Sequence, residues 1–250
     1  MTRRTPGIGR GRFGWAIAGL SALTLHACTP GPCTGTSAED HFDCGSFYQY
    51  SRADYPAAIR EYDEAIRLKP GYVDALNNRG LAHRHNHELD AAVRDYTEVI
   101  RQQPQAVFAY NNRANVYMAV GNVDSALADL DAVLRIDPTF ADAYYDRGII
   151  HRRIGQTGVA IADFTEAIRF YAEAANGPTD RVKSWFAQGR YAKPSRANPN
   201  VREIDQYLAD AYYLRSRAYA ERGQTAKSDD DLEKARSIDP TVDHRSQARA

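Results

Sequence analysis

Three observations predict an all-α fold, a solenoid of stacked antiparallel helix pairs. Prolines recur 34 residues apart at Pro70, Pro104 and Pro138, and return three periods later at Pro240. In "ADLDAVLRI" and "ADFTEAIRF" apolar residues repeat at three- and four-residue spacing, which is one buried stripe on a helix. Gly121, Gly155 and Gly223 share one place in the period, where a turn between helices calls for a positive φ. One helix pair cannot bury its own stripe, so neighbours must stack and share a core.

The chain before the first period has another character. "MTRRTPGIGRGRF" carries Arg3, Arg4, Arg10 and Arg12 without an acid, and the 13 residues Phe13–Leu25 are largely apolar. A basic start, a short apolar core and a small residue before a cut describe a secretory signal. Crossing a bilayer takes about 20 apolar residues, more than this run offers. Residues 1–27 are therefore expected to be removed. "LHAC", Leu25–Cys28, resembles the bacterial lipobox, which implies acylation at Cys28. Ordinary cleavage beside Ala27, leaving a plain thiol, is the alternative.

Without residues 1–27 four arginines leave and no acid does, so 28 basic side chains face 32 acidic ones, a formal −4. Nothing in that balance suggests a nucleic-acid partner. Residues 28–38 are expected to form a tether. If Cys28 takes lipid, Cys33 and Cys44 remain as a pair. An exported compartment would oxidise them, and closing that loop is worth roughly 2–3 kcal/mol. Two free thiols are the alternative.

With the recurring proline as position 32, the periods start at residue 39. Large side chains fall at position four: Phe42, Leu76, Tyr110, Tyr144 and Tyr212. Small ones fall at position twenty: Ala58, Ala92, Ala126, Ala160 and Ser228. Position 24 holds Tyr62, Tyr96, Leu130, Phe164 and Leu232, and position 27 holds Ala65, Val99, Val133, Ala167 and Ala235. Period and signature positions together resemble the tetratricopeptide repeat, a helix–turn–helix unit. The resemblance implies four repeats over 39–174, a C-terminal repeat over 209–242 and a tail over 243–250.

Position seven, usually leucine in that family, is here Arg79, Arg113, Arg147 and Arg215. In the same repeats position 23 is Asp95, Asp129, Asp163 and Asp231. Folding the two helices back on each other brings these positions together, so the arginines read as structural ion-pair partners repeated down the stack. The first repeat has Gly45 and Glu61 at these positions, and Glu61 is expected to serve Arg79 of the next repeat. The rival reading turns the arginines into the groove toward an acidic ligand.

Residues 175–208 span one further period in register and are expected to form a degenerate sixth repeat. Its second helix is lost to Pro194 and Pro199, and a new helix is expected from near Asn200 to Arg222. The segment carries Arg181, Lys183, Arg190, Lys193, Arg196 and Arg202 and no acid between the first and last, with Trp185, Phe186 and Tyr191 among them. Its aromatics either plug the core or, with Lys183, Arg190 and Lys193, form a contact segment for an acidic or glycan-bearing partner.

The family resemblance implies that the first helix of each pair lines a concave groove. By correspondence the groove offers Asn77, Asn78 and Arg84, then Phe108, Asn111, Asn112 and Asn115, then Tyr145, Asp146 and Arg152. Asparagine donates and accepts at once, which suits an extended peptide backbone. Asn78 and Asn112 match a ladder position, while Cys44, Asp146 and Leu214 interrupt it. Ordinary polar lining is the alternative.

No constellation points to catalysis. His83 and His87 have a zinc-compatible spacing, but His87 stands at the turn position and no cysteine or well-placed acid completes a site. No metal or cofactor is expected. The resemblance implies a non-catalytic protein–protein adaptor of the bacterial envelope, binding a partner protein or peptide in its groove. The lipid at Cys28 would hold it in a membrane. By resemblance to bacterial lipoproteins, Thr29 after the cysteine, in place of an aspartate, favours the outer membrane, facing the periplasm. A peptidoglycan- or glycan-binding envelope protein using residues 181–202 is the alternative.

Overall fold

The computed structural model describes residues 35–176 and 201–243, with the backbone alone at 201–203. The signal segment, Cys28, the tether's start, Cys33, the contact segment Lys183–Lys193 and the tail from 244 lie outside the described residues. Among the described residues ten α-helices form five pairs: α1 (Ala38–Phe47) with α2 (Tyr55–Leu68), α3 (Val73–His85) with α4 (Leu89–Gln102), and α5 (Val107–Ala119) with α6 (Val123–Ile136). They continue with α7 (Ala141–Arg153) and α8 (Thr157–Asn176), then α9 (Val201–Glu221) and α10 (Thr225–Ile238). The described residues contain no strand. A π-helical turn, Tyr48–Arg52, extends α1.

Position fifteen closes every pair. Gly121, Gly155 and Gly223 adopt φ of 75°, 79° and 69°, and the same place in the first two repeats holds Ala53 at 52° and His87 at 62°. The backbone demands the left-handed region there, which glycine enters without penalty and other residues at a cost. Capping fixes the starts. Ser37 and Asp40 form a reciprocal capping box on α1, and Asn122 accepts from the Ser125 N–H at α6.

Within a pair, ring size at position 24 is matched by the absence of a side chain opposite. A Cβ on Gly80 would lie 2.9 Å from Tyr96 Cε1, and one on Gly148 would lie 2.7 Å from Phe164 Cε1. The third repeat solves the same problem with Ala114 and Leu130, both fully buried. Alanines at position twenty are also fully buried from Ala58 to Ala160, letting helices approach closely.

The fourth and fifth pairs stack directly. α9 packs against α8 as α3 packs against α2, and Ala209, Ala211 and Leu214 join Phe164, Ile168 and Tyr171 in one core. No other described element lies between α8 and α9, and the expected degenerate repeat falls largely on residues 177–200, outside the described residues. α8 runs to Asn176, six residues longer than its 14-residue counterparts, and uses Phe170, Tyr171 and Ala174 to cover α9.

The stack ends in a polar face. Positions 21 and 28 face the next repeat and are apolar four times: Ile59 and Ile66, Val93 and Ile100, Leu127 and Leu134, Ile161 and Ile168. In α10 they are Asp229 and Arg236. That helix has no stripe left to share, as a terminal repeat requires.

Candidate functional site

The arginines hold the joints. Arg113 donates through Nε to Asp129 Oδ2 at 2.8 Å and through Nη2 to Oδ1 at 2.7 Å, a bidentate fork. The same forks join Arg79 to Asp95, Arg147 to Asp163 and Arg215 to Asp231. The Asp129 side chain is 7% exposed and that of Arg113 16%, so the charge lies along the core with its edge near water. Asp129 holds Arg113 above its ordinary pKa against the opposing effect of burial.

Each fork has a second partner in the preceding repeat, at position 25. Arg79 Nη1 donates to Asp63 at 2.7 Å, Arg113 to Thr97 at 2.9 Å, Arg147 to Asp131 at 2.7 Å and Arg215 to Thr165 at 3.0 Å. This corrects the expectation for Glu61, which meets His41 at 2.7 Å. Asp63, two residues further along α2, takes the role instead. Position eleven alternates in step. His83 and His151 stand beside joints with two carboxylates, His151 Nδ1 lying 2.7 Å from Asp163. Tyr117 and Tyr219 stand beside joints with one carboxylate and a threonine, their rings 5.8 Å from Arg113 and Arg215. The sequence carried this signal as D-T-D-T at position 25 and H-Y-H-Y at position eleven, and position seven alone did not reveal it.

The groove residues fall on α3, α5 and α7. Asn112 Nδ2 donates to Asn77 Oδ1 at 3.1 Å between adjacent repeats, and Asn77 Nδ2 lies 3.4 Å from Asn78 Oδ1. Asn111 Oδ1 is buried without a hydrogen-bond partner. Asn115 bonds the Asp146 carboxyl, which burial and the neighbouring Asp142 push up to about 7 while Asn115 and Arg84 pull the other way. Phe108 lines an open depression of about 720 Å³ between the α4–α5 turn and the end of α6.

Two groove assignments change. Tyr145 is 8% exposed and packs edge-on against Phe164, Tyr171 and Tyr207, so α9 and the long α8 take it into the core. Arg152 reaches Glu221 of α9 at 3.0 Å and ties the fourth pair to the fifth. Cys44 is disulfide-bonded, its partner lying outside the described residues. His83 Nδ1 pairs with Glu88 and its Nε2 lies 3.9 Å from Asp95.

Tetratricopeptide-repeat models match residues 48–107, 114–155, 141–173 and 209–242, together more than half of the chain. The chain belongs to the tetratricopeptide-repeat family. No curated protein matches at a significant level. Among solved structures, MamA from Desulfovibrio magneticus RS-1 is similar at TM-score 0.59 and 17% identity, covering 84% of this chain and 98% of its own. YrrB, described as a repeat protein with an unusual peptide-binding site, aligns at TM-score 0.54 and 17% identity over 82% of this chain and 88% of its own. A thermophilic repeat protein of Thermus thermophilus, TTC0263, aligns at TM-score 0.55 and 17% identity over 85% and 96%. At these identities the likeness is one of tetratricopeptide-repeat fold.

Proposed function

We propose that this chain is a non-catalytic adaptor whose concave face holds a segment of a partner protein, and that a lipid on Cys28 anchors it in the bacterial envelope, on the periplasmic side of the outer membrane. One observation carries the reading: the groove floor is made of side-chain amides, Asn77, Asn78, Asn111, Asn112 and Asn115, with Asn111 Oδ1 left unspent. Such groups satisfy an extended backbone in either direction. YrrB, a protein of similar fold, is described as having a peptide-binding site. The basic start, the short apolar run and "LHAC" support export and acylation.

Crosslinking in intact cells tests the groove. Asn78→Ala with Asn112→Ala should reduce recovery of the crosslinked partner while the melting temperature stays near that of wild type. Cys28→Ser should release the protein from membranes into the soluble periplasm and abolish labelling by an alkyne fatty acid. Sedimentation with isolated peptidoglycan that is salt-sensitive, indifferent to the asparagine changes and lost on replacing Lys183, Arg190 and Lys193 with glutamine would overturn the adaptor reading in favour of wall binding.

A further inference from the structure

The turn that leads into α7 is repeated after α10. Before α7, Asp137 Oδ1 accepts from the Thr139 N–H at 3.0 Å and from its hydroxyl at 2.8 Å, and the Phe140 N–H donates to the Asp137 carbonyl at 3.2 Å. After α10, Asp239 Oδ1 accepts from the Thr241 N–H at 2.8 Å and from its hydroxyl at 2.7 Å, and the Val242 N–H donates to the Asp239 carbonyl at 3.1 Å. Phe140 and Val242 are both buried, and the backbone turns helical again at Val242 and Asp243. The chain is thus delivered to the place where the first helix of a pair begins. From there the 34-residue period puts Arg249 at position seven. Ala250 follows it, as glycine, alanine or serine follows the other joint arginines.

The face that would receive this segment is prepared for it. At each of the four described joints the position-seven arginine donates through Nη1 to position 25 of the repeat stacked before it. In α10 that position is Glu233, exposed and without a partner among the described residues. Asp229, one turn earlier on the same face, is likewise unpaired there, and the two carboxylates line an open depression of about 420 Å³. The nearby cations are spent, Lys234 on Asp230 and Arg236 on Asp243 at 2.8 Å. That second pair also holds the start of the segment beside the depression. At the other joints positions 21 and 28 are apolar and the incoming position three is alanine. Here positions 21 and 28 are Asp229 and Arg236, and the incoming position three is Arg245, so both sides turn from apolar to charged together. Residues 244–250 carry these two arginines and no acidic side chain. A second copy stacking its first repeat on α10 would instead bring Gly45 to position seven and His41 to position three.

We propose that the outward face of α10 is a docking surface for residues 243–250 of the same chain, laid there as a first helix, with Arg249 donating to Glu233 and Arg245 facing Asp229. The bond repeats the joint that Arg147 makes with Asp131, and a charged donor on a charged acceptor is the strong form of such a bond. The face is then filled from within and is not open to a second copy. The contact does not depend on what the groove binds.

Amide hydrogen exchange in isotope-labelled mature protein, read residue by residue, tests the docking. The amides of Gln247 to Ala250 should exchange about tenfold more slowly in wild type than in Arg249→Gln or Glu233→Gln. Glu233→Arg and Arg249→Glu should each abolish that protection, and the two together should restore it. Glu233 is exposed, so exchange in α1 to α9 should stay at wild-type rates in every variant and misfolding does not confuse the outcome. Unprotected amides at 247–250 in wild type, protection indifferent to both glutamine variants, or no restoration in the double reversal would each overturn the proposal. Association that grows with protein concentration, is lost in Glu233→Gln and persists in Arg249→Gln would give the face to a second copy and overturn it as well.

Discussion

Arg215 Nη1 donates to Thr165 Oγ1 at 3.0 Å across 50 residues of sequence, the bond that Arg113 makes to Thr97 at 2.9 Å across 16. Thr165 donates its own O–H to the Ile161 carbonyl at 2.7 Å, so the hydroxyl oxygen is oriented to accept from the guanidinium. The two joints are alike although one spans a whole extra period. Adjacency in the stack, not in the chain, determines which residues meet.

A double-mutant cycle on that bond measures the adjacency. Arg215→Ala and Thr165→Ala should show a coupling of about 0.5–1.5 kcal/mol in chemical denaturation, the net range for an ordinary intramolecular hydrogen bond, since solvent exposure offsets the charge of the donor. Were residues 175–208 a layer between the fourth and fifth pairs, the coupling would be zero.

The match between ring and glycine gives a second expectation. An unhindered Gly→Ala change within a helix gains up to about 1 kcal/mol in propensity. At Gly148 the new Cβ would stand 2.7 Å from Phe164 Cε1, and overpacking costs about 1–3 kcal/mol, so Gly148→Ala should destabilise. Adding Phe164→Leu recreates the Ala114–Leu130 solution of the third repeat and should recover most of the loss. Denaturation of the two single variants and the double decides it. A Gly148→Ala protein as stable as wild type would show that the rings move aside freely.

The helix pairs were legible in the sequence because period, proline, alanine and glycine all report local backbone needs, and those do not depend on distant parts of the chain. The Arg113–Asp129 fork was legible for a related reason, since both members recur at fixed positions of one unit. The second partner was not. Glu61 and Asp63 are two residues apart on α2, and only the crossing of α2 with α3 decides that Asp63 meets Arg79 while Glu61 meets His41. The meeting of α8 with α9 was not legible either, because spacing counts residues, whereas these helices meet through the surfaces they bury. Tyr145 was misplaced by the same gap: its position is a groove position until the elongated α8 and Tyr207 cover it.

The carboxyl of Asp146 gives a prediction in pH. Burial, helped by Asp142, raises it from the ordinary 3.8 to about 7 despite the Asn115 bond and the charge of Arg84. The folded state therefore holds this proton more tightly than the unfolded chain. Its contribution to stability is complete below the unfolded value of 3.8 and is lost as pH rises through about 7. Asp146→Asn keeps the shape and can still bond Asn115, but carries no charge to desolvate. Above neutrality the variant should be the more stable protein, by roughly 2–4 kcal/mol from a shift of this size. The difference should shrink steadily toward acid and vanish once wild-type Asp146 is protonated in both states. Urea denaturation of both proteins across that range, with the ion-pair forks unchanged between them, isolates the single group. A constant difference at every pH would mean that Asp146 titrates in the folded protein as it does in the unfolded chain and is not desolvated at its place on α7.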